Sequence, residues 1–217
     1  MSRFVRLGFG TIPRENRPGA GTRLEPGAEN RYRGWTRNRK NEESPVSEMQ
    51  IKEIPAAPEF DMFFYCEVAG ENRIDRDLLE EIEERWERWA GLLKAHLLTN
   101  PEGGAQYVFL FMDKAVEDEI EGIWQDSPTH GLALHNLAIA MVMSAAHGLI
   151  PELQEGRCAP LPKPGKAMLD AFDKLGLTWN KEGTVNRQYA VLTPYPYSGG
   201  CDICYLQPTC PKAALER

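Results

Sequence analysis

Hydrophobic residues recur through the middle of the chain at spacings that predict both helices and strands. The longest amphipathic stretch covers residues 75–98, where apolar residues return every three or four positions between acidic and basic ones. This pattern predicts a long helix that ends at Thr99-Asn100-Pro101 and buries one face in a core. The residues of that face are Leu79, Ile82, Trp86, Trp89, Leu93 and Leu97.

Three further helices follow from the same periodicity. Asp113 can cap a helix over residues 114–125, and a short helix is expected over residues 166–175, where Gly176 ends it. Between them, residues 129–147 have almost no polar side, which predicts a central helix surrounded by other elements.

Shorter apolar runs predict strands. Residues 61–68 contain consecutive aromatic residues and suit a strand buried on both faces, while residues 106–112 and 188–193 are apolar runs of strand length. The preceding segment, residues 49–60, is punctuated by Pro55 and Pro58 and leads into the first of these strands. The fold class expected is α/β or α+β, a single mixed domain with a buried central helix, a small sheet and an extended N-terminal arm.

The domain organisation follows from a shift in composition and charge. Residues 1–47 are rich in glycine, proline and arginine and predict an extended arm and linker, whereas residues 48–217 predict a globular domain. Residues 1–40 hold nine arginines and one lysine against three glutamates, a net charge of +7. Because the whole chain carries −7, residues 41–217 carry −14. A basic arm is thus joined to an acidic body.

Part of the arm alternates aromatic and basic residues, a mixture that can contact phosphates and stack on bases. The alternative is that the arm binds a protein partner, a neighbouring subunit or its own acidic body. We expect a protein partner through the arm, keep nucleic acid as an alternative, and expect no membrane. The candidate partner-binding residues are Arg31, Arg33, Trp35, Arg37, Arg39 and Lys40.

Length and composition restrict the class of protein. A chain of 217 residues with 42% hydrophobic content can bury a full core. Its five cysteines are too sparse for a disulfide-rich secreted scaffold, and no apolar leader follows Met1. No apolar run is expected to reach the length of a membrane span, so a reducing cytoplasm is the predicted compartment.

Three of the five cysteines fall within ten residues near the C-terminus. We call residues 199–211 the cysteine loop; its ligand candidates are Cys201, Cys204 and Cys210, in a Cys-x2-Cys-x5-Cys spacing. A Cys-x2-Cys pair aims two thiolates at one point, and a third cysteine close by can bind the same ion or cluster. The loop is therefore predicted to bind metal.

A fourth ligand must come from elsewhere, because most sites of this kind use four. Cys158 lies in a loop bounded by glycine and proline, where a thiolate can be presented without disturbing a packed element. Cys66 is the other candidate, but it lies in an apolar run, where a buried thiol is more common. The predicted metal ligands are Cys158, Cys201, Cys204 and Cys210, with Cys66 as the alternative to Cys158.

The spacing favours an iron–sulfur cluster over zinc, because structural zinc sites usually pair two knuckles and only one Cys-x2-Cys is present. An isolated upstream cysteine followed by Cys-x2-Cys-x5-Cys resembles the cluster-binding cysteines of AddB-like and CRISPR-associated iron–sulfur nucleases. The resemblance implies a 4Fe-4S cluster on those four cysteines, and zinc stays the alternative. The nucleases' Asp and Glu-x-Lys catalytic set is not found, so the expected function is that of a cluster-binding accessory or interaction protein with a structural or electron-transfer role.

A second resemblance concerns the body of the chain. The run Leu134-His135-Asn136-Leu137, the segment Ala146-His147-Gly148-Leu149 and the later run Tyr189-Ala190-Val191-Leu192 resemble the nitroreductase family. That resemblance implies an FMN-dependent oxidoreductase that binds the FMN phosphate with an arginine-rich N-terminal motif, from which residues 37–40 of this chain depart. A nucleic-acid-binding component with a structural metal site is the third alternative. No catalytic residue is assigned, and whether the protein is an enzyme is left open.

The remaining polar residues in helical stretches have structural explanations. His96 would lie at the C-terminal end of the long helix and interact favourably with the helix dipole. His135 would be buried with a hydrogen bond to the backbone. His147 lies twelve positions beyond His135, too far along a helix to share a metal. The glutamates among residues 80–87 are expected to form a solvated face.

Overall fold

The computed structural model describes residues 48–180 and 184–210, which form five α-helices, four strands and three short 3-10 helices. In chain order the strands and α-helices are β1 (Gln50–Glu53), α1 (Met62–Ala69), α2 (Arg76–Ala90), β2 (Leu93–Thr99), β3 (Gln106–Met112), α3 (Lys114–Asp126), α4 (Pro128–Leu149), α5 (Lys166–Lys174) and β4 (Ala190–Tyr195). The 3-10 helices are Pro151–Glu155, Cys201–Ile203 and Gln207–Thr209. The predicted arm, residues 1–47, lies outside the described residues.

The four strands form one antiparallel sheet in the order β1-β2-β3-β4. Leu110 of β3 lies opposite Ala95 on one side and Val191 on the other. Every neighbouring pair is antiparallel, and α3, α4 and α5 are inserted between β3 and β4. The fold is therefore mixed α+β, which confirms the expected class.

The sheet is covered on both faces, because alternate residues of a strand point to opposite sides. On one face Ala95, Val108 and Leu110 pack into a core with the buried residues of α2, α3 and α4, which we call the helix-side core. On the other face Phe109 packs against Phe172 of α5, with ring centroids 5.2 Å apart, in the α5-side core.

Helix α4 is the central helix that the sequence predicted. Leu134, Leu137 and Met141 are fully buried, and the helix packs against α1, α2, α3 and the sheet. Among the described residues it is also the one helix long and apolar enough to cross a membrane, so the expectation that no run reaches that length was wrong. Because these residues line the helix-side core, we interpret α4 as a core helix of the domain.

The first difference from the predicted elements is α1, which replaces the strand expected over residues 61–68. The Asp61 carboxylate accepts hydrogen bonds from the backbone N–H groups of Phe63 (2.8 Å) and Phe64 (3.3 Å), and Gly70 ends the helix in the left-handed conformation. Capping at both ends outweighs the strand preference of the aromatic run. Phe63 is 79% exposed, so the run is not buried on both faces.

The second difference is that the long predicted helix is divided. Helix α2 ends at Ala90, Gly91 follows, and β2 begins at Leu93. Leu93 and Leu97 satisfy a helical spacing, yet as alternate strand residues they also share the face of the sheet that packs on the helix-side core. His96 consequently lies in strand β2 and not at the end of a helix, as was predicted. Strand β1 was not predicted.

Candidate metal-binding loop and polar cluster

The described part of the cysteine loop is a succession of tight turns that follows β4 and the cis peptide bond between Tyr195 and Pro196. The backbone N–H of Cys204 donates to the carbonyl oxygen of Cys201 at 3.2 Å. The N–H of Gln207 then donates to Cys204 at 3.1 Å, and that of Cys210 to Gln207 at 3.4 Å. Each of the three cysteines therefore lies at the end of a four-residue turn.

Gly199 fixes the entry to these turns. Its φ angle of +80° is one that residues with a side chain rarely adopt. A Cβ atom at this position would also lie 2.5 Å from Cδ1 of Ile203. The Ile203 side chain thus occupies the space that the glycine leaves open and holds the first turn against the incoming chain.

Two hydrogen bonds connect the segment that carries Cys158 to the C-terminal part of the chain, one from Tyr197 just before the cysteine loop and one from Tyr205 within it. The Tyr197 hydroxyl donates to the carbonyl oxygen of Cys158 at 3.0 Å, and the backbone N–H of Tyr205 donates to Leu161 at 2.7 Å. Tyr197 and Ala159 pack against the helix-side core, and Leu161 packs against the α5-side core. Residues 158–161 and 197–205 are therefore held side by side on the body of the protein.

The thiols differ in exposure. Cys158 and Cys201 are exposed, Cys204 and Cys210 are half-buried, and no disulfide joins any of the five cysteines. Within residues 48–180 and 184–210, no three side chains of His, Cys, Asp or Glu lie close enough together to hold a metal ion. The structure thus brings the backbone of Cys158 to the loop without gathering the four thiols around one point, and the predicted ligand set stays a prediction.

The alternative fourth ligand, Cys66, lies on α1. It is half-buried, and its carbonyl oxygen accepts the backbone N–H of Glu71 in the turn that ends the helix. Helix α1 packs against α4, whereas Cys158 is in the segment bonded to the loop. The hydrogen bonds therefore favour Cys158 over Cys66 as the predicted fourth ligand.

A polar cluster that the sequence analysis missed lies where α3, α4 and the start of β4 meet. His135 Nδ1 is 2.9 Å from the Tyr189 hydroxyl and 3.3 Å from Gln188 Nε2. The ring of Trp124 approaches His135 edge-on, with centroids 6.4 Å apart. Glu117 accepts the backbone N–H of Gln188 at 2.7 Å and fixes this end of the strand to α3.

The protonation states within the cluster follow from its surroundings. Burial, and then the carboxylates of Glu117 and Glu121, raise the pKa of Tyr189, so its hydroxyl stays protonated at neutral pH. Burial lowers the pKa of His135, which stays neutral. The Gln188 amide nitrogen, which can only donate, also faces Nδ1, so we assign Nδ1 as the acceptor, Tyr189 as a donor to it and the imidazole proton to Nε2.

His135 was expected to bond to backbone, and that expectation was wrong, because its partners are the Tyr189 and Gln188 side chains. The partners are more than fifty positions away, so no local sequence signal connects them. His147 packs against Phe64 with ring centroids 5.3 Å apart, and burial lowers its pKa.

The glutamates of α2 were expected to be solvated, and most are exposed. Glu81 differs, because it pairs with Arg85 and lies 2.7 Å from His130 Nε2 of α4. Arg85 also pairs with Glu119 of α3 at 3.1 Å. Charged residues of α2 thus connect this helix to α3 and α4.

The residues proposed for partner binding, Arg31, Arg33, Trp35, Arg37, Arg39 and Lys40, lie outside the described residues. The same holds for residues 37–40, the segment compared with the phosphate-binding motif of the nitroreductase family. Comparison of the chain with known protein families, curated proteins and solved structures finds no match. The functional argument therefore depends on the chemistry of the described residues.

Proposed function

We propose that this protein binds an iron–sulfur cluster through Cys158, Cys201, Cys204 and Cys210 and acts as an accessory or interaction protein in the cytoplasm. The observation that carries the proposal is the pair of hydrogen bonds by which Tyr197, just before the cysteine loop, and Tyr205, within it, hold residues 158–161. They hold the backbone that carries Cys158 next to the segment that leads into the cysteine loop, although Cys158 and Cys201 are more than forty positions apart in sequence.

The side-by-side arrangement reduces the cost of assembling a site. Closing a long loop around a metal lowers chain entropy, but here Tyr197, Tyr205 and Leu161 already hold the two segments together. What remains is the adjustment of short turns and side-chain rotamers. The free energy of metal binding can drive that adjustment, because metal binding is commonly coupled to local folding.

The donor set favours a soft metal centre. Four thiolates suit an iron–sulfur cluster or zinc, and the single Cys-x2-Cys pair with one distant cysteine favours the cluster. Cys158 and Cys201 are exposed, so a cluster bound here would lie near the surface. A position near the surface suits electron exchange with a partner. A structural role is equally compatible, because the cluster would join segments that pack against both cores.

The test is metal and acid-labile sulfide analysis of protein purified without oxygen. The proposal expects iron and sulfide in equal amounts together with broad visible absorption. Cys158→Ser should lower the iron content, whereas Cys66→Ser, the matched control on α1, should leave it unchanged.

Colourless protein with stoichiometric zinc would overturn the cluster and keep a metal site. Full iron content in Cys158→Ser with loss in Cys66→Ser would overturn the ligand assignment. Absence of both metals from the reduced protein would overturn the function itself.

A further inference from the structure

We propose that Cys201 and Cys204 form a reversible disulfide in the metal-free protein and that this disulfide blocks metal loading. The second half rests on the proposed function, because the disulfide can block loading only if these thiols are ligands. The first half, disulfide formation, depends on the described geometry alone.

The geometry of the first turn carries the proposal. The hydrogen bond from Cys204 N–H to the Cys201 carbonyl closes a four-residue turn, which brings the first and fourth Cα atoms within about 7 Å. A disulfide requires a Cα separation of about 4.4–6.8 Å, so this pair can be joined with little backbone movement. The side chain of Ile203, which lies between the two cysteines in the chain, packs over Gly199 where the backbone enters the turn.

Two other pairings, Cys204 with Cys210 and either cysteine of the turn with Cys66, are less favourable. Cys204 and Cys210 are separated by two turns, with Gln207 at the corner between them. Cys66 lies on a helix in a different part of the fold. Because the effective concentration of one thiol near another falls as the connecting loop lengthens, the pair within one turn reacts first.

The chemistry requires an oxidant, for which we name a small-molecule disulfide such as glutathione disulfide. One cysteine thiolate attacks the oxidant, forms a mixed disulfide and releases one glutathione thiolate. The second cysteine then attacks the protein sulfur of that mixed disulfide and releases the second glutathione. Two thiols are oxidised to one sulfur–sulfur bond, and the oxidant is reduced to two thiols, so two protons and two electrons are accounted for.

The consequence for the site follows from ligand charge. Thiolates bind soft metals because they are anionic, and a disulfide removes two of the four at once. Two remaining cysteines cannot complete a tetrahedral site. Loading would therefore require a reducing environment.

The experiment uses the full metal-free chain and zinc ion alone as the probe, because zinc binds thiolates without changing its own redox state. The protein is equilibrated with glutathione disulfide, free thiols are alkylated, and peptides are identified by mass spectrometry. We expect a disulfide between Cys201 and Cys204, loss of zinc uptake, and recovery of uptake after reduction. Cys204→Ser should abolish the disulfide, whereas Cys66→Ser should keep it, and circular dichroism should show that all variants are folded.

The outcomes separate this inference from the proposed function. If the reduced protein binds zinc but forms no disulfide, or forms one between other cysteines, the inference is overturned and the metal site stands. If the disulfide forms but the reduced protein takes up neither zinc nor iron, the metal-binding function and the block on loading are overturned, and only the disulfide is supported.

Discussion

The Tyr197 hydroxyl donates a hydrogen bond to the carbonyl oxygen of Cys158, 39 positions earlier in the chain, at 3.0 Å. The ring of Tyr197 packs against the helix-side core, so the bond holds the Cys158 segment to a fixed part of the protein. Together with the bond from Tyr205 to Leu161, it determines which upstream cysteine lies beside the cysteine loop.

Removal of that hydroxyl should weaken both the fold and the proposed site. We expect Tyr197→Phe to lower the free energy of unfolding by about 0.5–1.5 kcal/mol, because one hydrogen bond is lost while the packed ring is kept. Urea denaturation measures the change, and metal content after dialysis should fall with it. Tyr195→Phe is the control, because Tyr195 is exposed at the end of β4. Equal effects of the two substitutions would contradict a role for the Tyr197 hydroxyl.

The contact between α3 and α4 depends on the absence of a side chain at Gly131. A Cβ atom there would lie 2.7 Å from Cε3 and 2.8 Å from Cα of Trp124, and the backbone cannot move aside freely. Gly131→Ala should therefore destabilise the protein by about 1–3 kcal/mol through overpacking.

Gly148 provides a matched control in the same helix, because nothing lies within 4 Å of a Cβ atom built there. Gly148→Ala should be neutral or stabilise by up to about 1 kcal/mol, since alanine is the better helix former. Thermal unfolding of the two variants measures the difference, and similar melting temperatures would contradict the close contact.

Glu119 accepts hydrogen bonds from three side chains of α2, namely Arg85, Arg88 and Trp89, the last at 2.9 Å. Glu119→Ala leaves the buried Trp89 N–H without its partner, so we expect a loss of about 1–3 kcal/mol. The exposed Glu83 is the control, and Glu83→Ala should change stability by less than about 0.5 kcal/mol. Chemical denaturation at two salt concentrations checks both values, and equal losses would contradict the structural role of Glu119.

Stability should depend on pH through three histidines whose pKa burial lowers, His96, His135 and His147. Burial lowers the pKa of His96, His135 and His147 below the ordinary value of 6.5, so below that pH the unfolded chain takes up protons that the folded protein does not. The free energy of unfolding should therefore be constant above pH 6.5, as far as these residues are concerned, and fall as the pH drops below it.

His135→Gln should reduce the slope of that fall, because one of the three histidines no longer titrates. Urea denaturation over a series of pH values measures the slope. A slope that is unchanged in the variant would show that His135 titrates alike in the folded and unfolded states.

Much of the fold follows from local patterns. The apolar run of residues 106–112 forms β3, and the capping Asp113 begins α3 by accepting the backbone N–H of Ala115. The nearly all-apolar stretch of α4 is central, because residues without a polar side must be covered on every side. The expected helix over residues 166–175 is α5, Lys166–Lys174.

The errors arose where one pattern fits two structures. The aromatic run after Asp61 suits a strand by composition, but capping by Asp61 and Gly70 makes it α1. Leu93 and Leu97 fit either the apolar face of a helix or alternate positions of a strand. This segment forms a strand because it pairs with β3. Pairing partners lie far away in sequence, so local periodicity cannot choose between the two.

The sequence by itself determined the cysteine spacing, the acidic body with its basic arm, and the central apolar helix, because these depend on residue type and short-range order. Only the tertiary structure decided that Tyr197 meets Cys158 and that Tyr189 meets His135. Both contacts join segments that are distant in sequence and pack against the same core. The position of Tyr189 is also set by β4, which begins at the next residue. Long-range contacts of this kind form because burying apolar surface brings distant segments together, and no local pattern in the chain records which segments will meet.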